Sequence, residues 1–92
     1  MIQKVKLNRG QILTKSNVEQ LLTKARNGSD YCRFDLKYGT YITVAFFKDM
    51  TFDIMTNIRN INLWNEIQSA RRQRGIIVIA DYLFRWIQVY NK

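Results

Sequence analysis

The tripeptide Asp35-Leu36-Lys37 is the one place in this chain where residue types and spacing approach a known catalytic arrangement. An acid and a lysine two positions apart on a strand share one face, as in metal-dependent nucleases that hold a divalent ion beside an activated water. Such a site needs a second carboxylate on the same ion, and Asp30, Asp49 and Asp53 are the nearby candidates. Alternating charges on a solvated strand give the same tripeptide with no chemistry, and three residues specify a function loosely.

Other catalytic routes are closed. The chain has no histidine, which removes His-based acid–base work, the usual nucleophile triads and the commonest metal ligand. Cys32 is the single cysteine, so there is no thiolate zinc set and no intramolecular disulfide. It falls on the inward side of an alternating run, which predicts a buried structural thiol. Neither a P-loop nor a G-x-G-x-x-G is present. The expectation is a non-enzyme with no catalytic residue, no metal and no cofactor.

The remaining chemistry is cationic. Fifteen Lys and Arg face seven Asp and Glu, leaving a net charge of +8, a field that attracts anions. The densest cluster is Arg71-Arg72-Gln73-Arg74. One cation at a helix end satisfies the macrodipole; three arginines suit planar recognition of phosphate or carboxylate. A second group, Lys4, Lys6 and Arg9, lies on a strand and its turn, where lysine also discourages edge pairing. The third is Arg33 and Lys37 with Tyr31, on the outward face of a predicted hairpin. A ring on the same face as cations can stack a base beside its phosphate, although Asp35 intrudes between the two cations and Tyr31 also reads as plain sheet cover.

These groups need a scaffold. A length of 92 residues suits one domain spanning the chain, and 47% hydrophobic residues can fill a thin core. The first ten residues carry no apolar run of signal-peptide type, and the apolar stretch 76–90 contains Asp81 and Arg85 and falls short of a membrane span. With the lone cysteine, this predicts a cytoplasmic setting and no membrane contact.

Residues 2–7 alternate as an edge strand, with Asn8-Arg9-Gly10 as its turn. Ser16 to Asn27 reads as a helix with Ser16-Asn17-Val18-Glu19 as capping box, Val18, Leu21, Leu22 and Ala25 inward, and Gly28 at the left-handed position after it. Tyr31–Tyr38 and Thr40–Phe47 form a hairpin pairing Leu36 with Ile42, Phe34 with Val44 and Cys32 with Phe46. A strand or irregular piece follows, then a helix from about Ile61 to Arg74 burying Leu63, Trp64, Ile67 and Ala70. For 76–90, density in Ile, Val, Tyr, Phe and Trp favours a hairpin turning near Asp81. The alternative is a strand and a short helix capped by Asp81, with Leu83, Trp86, Ile87 and Tyr90 inward. The fold class is α+β: an antiparallel sheet of about four to five strands with two helices packed on it.

The functional expectation is a small basic binding domain that contacts DNA or RNA phosphates through Arg71, Arg72, Arg74, Lys4, Lys6, Arg9, Arg33 and Lys37, with Tyr31 beside them. The competing expectation is a small viral or phage-type accessory protein that inhibits a host nucleoprotein complex through protein contacts. The nuclease stands third.

Overall fold

A computed structural model of the chain describes residues 13–49, 51–72 and 75–90, and residues 3–6 as backbone. The elements run β1 (Gln3–Lys6), α1 (Lys15–Asn27), β2 (Tyr31–Asp35), a 3-10 turn at Lys37–Gly39, β3 (Tyr41–Phe46), β4 (Phe52–Thr56), α2 (Ile61–Arg71) and α3 (Ile76–Tyr90). The fold class is α+β.

The sheet has the order β1-β2-β3-β4. Antiparallel pairing joins β2 to β3 and β3 to β4. β1 joins β2 in parallel, with Val5 beside Phe34 and Lys4 beside Arg33. Two parallel neighbours need a crossover, and α1 supplies it. Among the described residues, the expected all-antiparallel sheet with two helices is thereby corrected to a mixed sheet with three α-helices.

The additional helix comes from 76–90, where the hairpin reading fails. Ile79, Ala80, Leu83, Trp86 and Ile87 are its buried positions. Their spacing of three and four residues is that of one helical stripe, and burying that stripe outweighs the strand preference of branched and aromatic side chains. The helix begins five residues before Asp81, which therefore does not cap it. Leu83, Trp86 and Ile87 do turn inward, and Tyr90 is partly buried against the same core.

Helix α1 is capped two residues earlier than expected. Thr14 accepts from the Asn17 backbone amide at 3.1 Å, and Asn17 returns a bond to the Thr14 amide at 3.2 Å. An asparagine at the third position completes the box as a glutamate would. At the other end Gly28 stays right-handed and Ser29 takes the left-handed conformation, with φ 52°. Ser29 N–H bonds to Arg26 O at 3.1 Å and Asp30 N–H to Ala25 O at 2.9 Å, the paired bonds of a Schellman ending.

The β2–β3 hairpin is shifted by two residues from the expected register: Phe34 faces Ile42 and Cys32 faces Val44. A slip of two keeps every side chain on its face, so hydrophobic pattern alone does not separate the registers. The turn does. Tyr38 and Gly39 adopt φ of 58° and 71°, and Asn57 fastens the turn, accepting from Tyr41 N–H and donating to the Gly39 carbonyl, each at 2.9 Å.

The core lies on one side of the sheet. Cys32, Phe34, Ile42, Val44 and Ile54 meet Val18, Leu22 and Ala25 of α1 and Ile79 and Leu83 of α3. Helix α2 closes the side next to β4 with Leu63, Ile67 and Ala70. Trp64, expected on that buried face, is 37% exposed. Among the described residues no helix is long and apolar enough to cross a membrane.

Candidate nucleic-acid interface

Strand alternation sends one set of side chains into the core and the next to the opposite face. Tyr31, Arg33 and Asp35 of β2, Tyr41, Thr43 and Ala45 of β3, and Asp53 and Met55 of β4 make up that second face by register. No described helix covers it, because α1 and α3 occupy the other side.

At its centre is an open depression of about 230 Å3, lined by Tyr31, Arg33, Tyr41, Thr43 and Met55. Arg33 reaches diagonally between strands, with its guanidinium carbon 4.3 Å from the Tyr41 ring centroid. Its Nε donates to Asp35 Oδ1 at 2.9 Å. The ring below and the carboxylate at one edge hold the guanidinium in place, a pair of contacts that lysine does not offer. Thr43, 7% exposed, is the buried polar residue among those described in the sheet.

The parallel register carries β1 into this face. Lys4 stands beside Arg33 and Lys6 beside Asp35, so two groups far apart in sequence become neighbours. Arg71 approaches from the other edge, about 14 Å across the sheet, or three strand spacings. Arg71 is engaged structurally: its Nη2 lies 2.7 Å from Asp53 Oδ1 and donates to the Ile54 carbonyl at 3.1 Å. Arg72 is exposed and has no carboxylate within ion-pair distance among the described residues. Lys37 lies in the 3-10 turn beyond the strand, where its carbonyl accepts from Thr40. Arg9 and Arg74 fall outside the described residues.

The excess charge is unevenly balanced. Arg33 and Arg71 are paired with carboxylates, and Lys15 and Arg85 share Asp81 at 3.6 and 3.7 Å. Partly exposed pairs of this kind contribute about 1 kcal/mol or less each. Among the described residues Lys24, Lys37, Lys48, Arg59 and Arg72 have no such partner. Among the described side chains of the face, Arg33 is paired with Asp35 and Arg71 with Asp53, and the strand that carries Lys4 and Lys6 lies in register alongside.

Nuclease chemistry loses its geometric premise. β2 ends at Asp35, so Lys37 does not share a strand face with it. Asp35 is turned to Arg33, Asp53 to Arg71, and Asp49 accepts from Thr51 N–H and Oγ. Among the described residues no three of His, Cys, Asp or Glu gather as a metal site would require. Cys32 is fully buried, and burial pushes its thiol up to about 12, the state of an inert core thiol.

Sequence reasoning found Tyr31 and Arg33 but missed Tyr41, Thr43 and Met55. Once Cys32 and Phe34 are assigned inward, alternation signals their face. Placing Tyr41 beneath Arg33 needed the register that the turn decides.

Comparison with protein-family models, with curated proteins and with solved structures finds no match for this chain.

Proposed function

We propose that this protein is a non-catalytic nucleic-acid-binding domain whose contact surface is the open face of its sheet. The observation that carries the reading is the union of two cationic groups by the β1–β2 register. Lys4 stands in register beside Arg33 and Lys6 beside Asp35, and Arg33 lies over Tyr41 with its Nη groups free of hydrogen bonds among the described residues. Guanidinium forks and lysines beside aromatic rings are the residue types that meet phosphates and bases together. Arg72 extends the cationic track at the β4 edge, and Lys37 does so at the turn. Arg9 and Arg74 belong to the same proposal through their neighbours in sequence.

Phosphate contacts release counterions, so affinity depends on salt. Fluorescence anisotropy with labelled DNA and RNA at about 50 and 200 mM salt should show a loss of affinity on the order of a hundredfold or more. Absence of binding at the lower salt would remove the proposal.

A second reading, a viral or phage-type accessory protein that inhibits a host nucleoprotein complex, draws on a different surface. Ile61, Ile77 and Val89 on α2 and α3 are 73%, 64% and 58% exposed. A groove of about 420 Å3 runs between these helices over Leu63, Trp86 and Tyr90. Exposed apolar side chains beside a groove favour protein contacts. A partner retained after nuclease treatment and lost on Val89→Glu would favour this reading over the first.

A further inference from the structure

We infer that the depression on the sheet face receives an unpaired nucleobase, so that the ligand is single-stranded nucleic acid in preference to duplex. The inference rests on the nucleic-acid reading above and names the form of nucleic acid that the same face takes. At about 230 Å3 the depression is smaller than the roughly 300–1,000 Å3 of pockets for drug-sized ligands. That is a scale for one planar ring system.

Its lining is aromatic where a base needs a face and polar where a base needs an edge. Tyr31 and Tyr41 supply rings, Met55 a polarisable thioether, and Arg33 a guanidinium already stacked on Tyr41. In a duplex, base faces are covered by their neighbours and only edges reach the grooves, so such a surface gains little from paired bases. Unpaired strands present those faces, and stacking tolerates any base because every base has a π-face.

Thr43 adds a polar group to this lining: it is more than nine-tenths buried as a residue, and it borders the depression. A hydroxyl both donates and accepts, so it meets the edge of any base, and sequence preference should be weak. The charge is complementary as well. Lys4 stands in register with Arg33 on the neighbouring strand, where a strand's phosphates would run beside its stacked base. Asp35 opposes this attraction, but its Oδ1 is engaged by Arg33 Nε.

The test compares three labelled ligands of equal length at low salt: a mixed-sequence DNA strand, the same strand in a duplex, and a strand of abasic sites with the same phosphates. The intact protein should bind the base-bearing strand about tenfold or more tightly than the abasic strand, and more tightly than the duplex. Tyr41→Leu and Tyr31→Leu should each reduce the ratio of base-bearing to abasic affinity severalfold. If a variant misfolds by circular dichroism, the abasic comparison on the intact protein decides alone. Equal affinity for all three ligands would overturn the base pocket and leave the phosphate reading standing. No affinity for any would overturn both.

Discussion

Trp86 donates its indole N–H to the carboxylate of Glu66, and this contact joins α3 to α2. The two helices run antiparallel here, since the start of α2 and the end of α3 line one groove. Trp86 is 4% exposed, so its N–H has little recourse to water. Glu66→Ala should lower unfolding free energy by about 1–2 kcal/mol in urea titration, and Glu66→Gln, which keeps an acceptor, by less. Equal losses for the two variants would show that the hydrogen bond is not what matters.

Arg71 and Arg72 are neighbours with different work. Arg71 ties α2 to β4 through Asp53 and the Ile54 carbonyl, so Arg71→Ala should cost about 1 kcal/mol of stability. Arg72 is exposed. Arg72→Ala should leave thermal unfolding unchanged and reduce the salt slope of DNA or RNA binding by about one. A variant that loses stability without any change in that slope would exclude Arg72 from the contact surface.

Cys32 makes stability fall in alkali. Its thiol is pushed from 9.0 up to about 12 by burial. Between these values the unfolded chain has lost the proton that the native state retains, so native stability declines as pH rises. The slope approaches about 1.4 kcal/mol per pH unit. Below pH 9 both states hold the proton and the contribution is constant. Urea titrations of the native protein and Cys32→Ala from pH 8 to about 11 should diverge in slope, with the variant flatter in this range. Parallel curves would sink the prediction.

The end of α1 carries a correctable strain. Ser29 sits at φ 52° with the two bonds of a Schellman ending. A side chain there costs about 1 kcal/mol that glycine avoids, less the entropy glycine adds to the unfolded chain. Ser29→Gly should therefore raise stability by about 0.5 kcal/mol, and Ser29→Val should lower it by more, both read from denaturation midpoints.

The α+β class, helix α1, the β2–β3 hairpin, the helix after Ile61 and the inward positions of Cys32 and Phe34 were all legible in the chain itself. Their periodicity is local: three or four residues for one helical stripe, two for one strand face. Cys32 was also legible as a core thiol, because its strand alternates cleanly with Arg33 and Asp35 outward.

Three decisions belonged to the tertiary structure. Strand and helix compete over 76–90, and the winner depends on whether α1 and α2 offer a groove to the stripe Ile79, Leu83 and Trp86. A two-residue register slip leaves every hydrophobic position on its face, so the turn at Tyr38 and Gly39, fastened by Asn57, had to choose it. The pairing of β1 is non-local, and no pattern within residues 2–7 distinguishes a parallel from an antiparallel neighbour. Those last two choices set Arg33 over Tyr41 and Lys4 beside Arg33. Residue types are written in sequence, but their convergence on one face follows from contacts between segments that the chain places far apart.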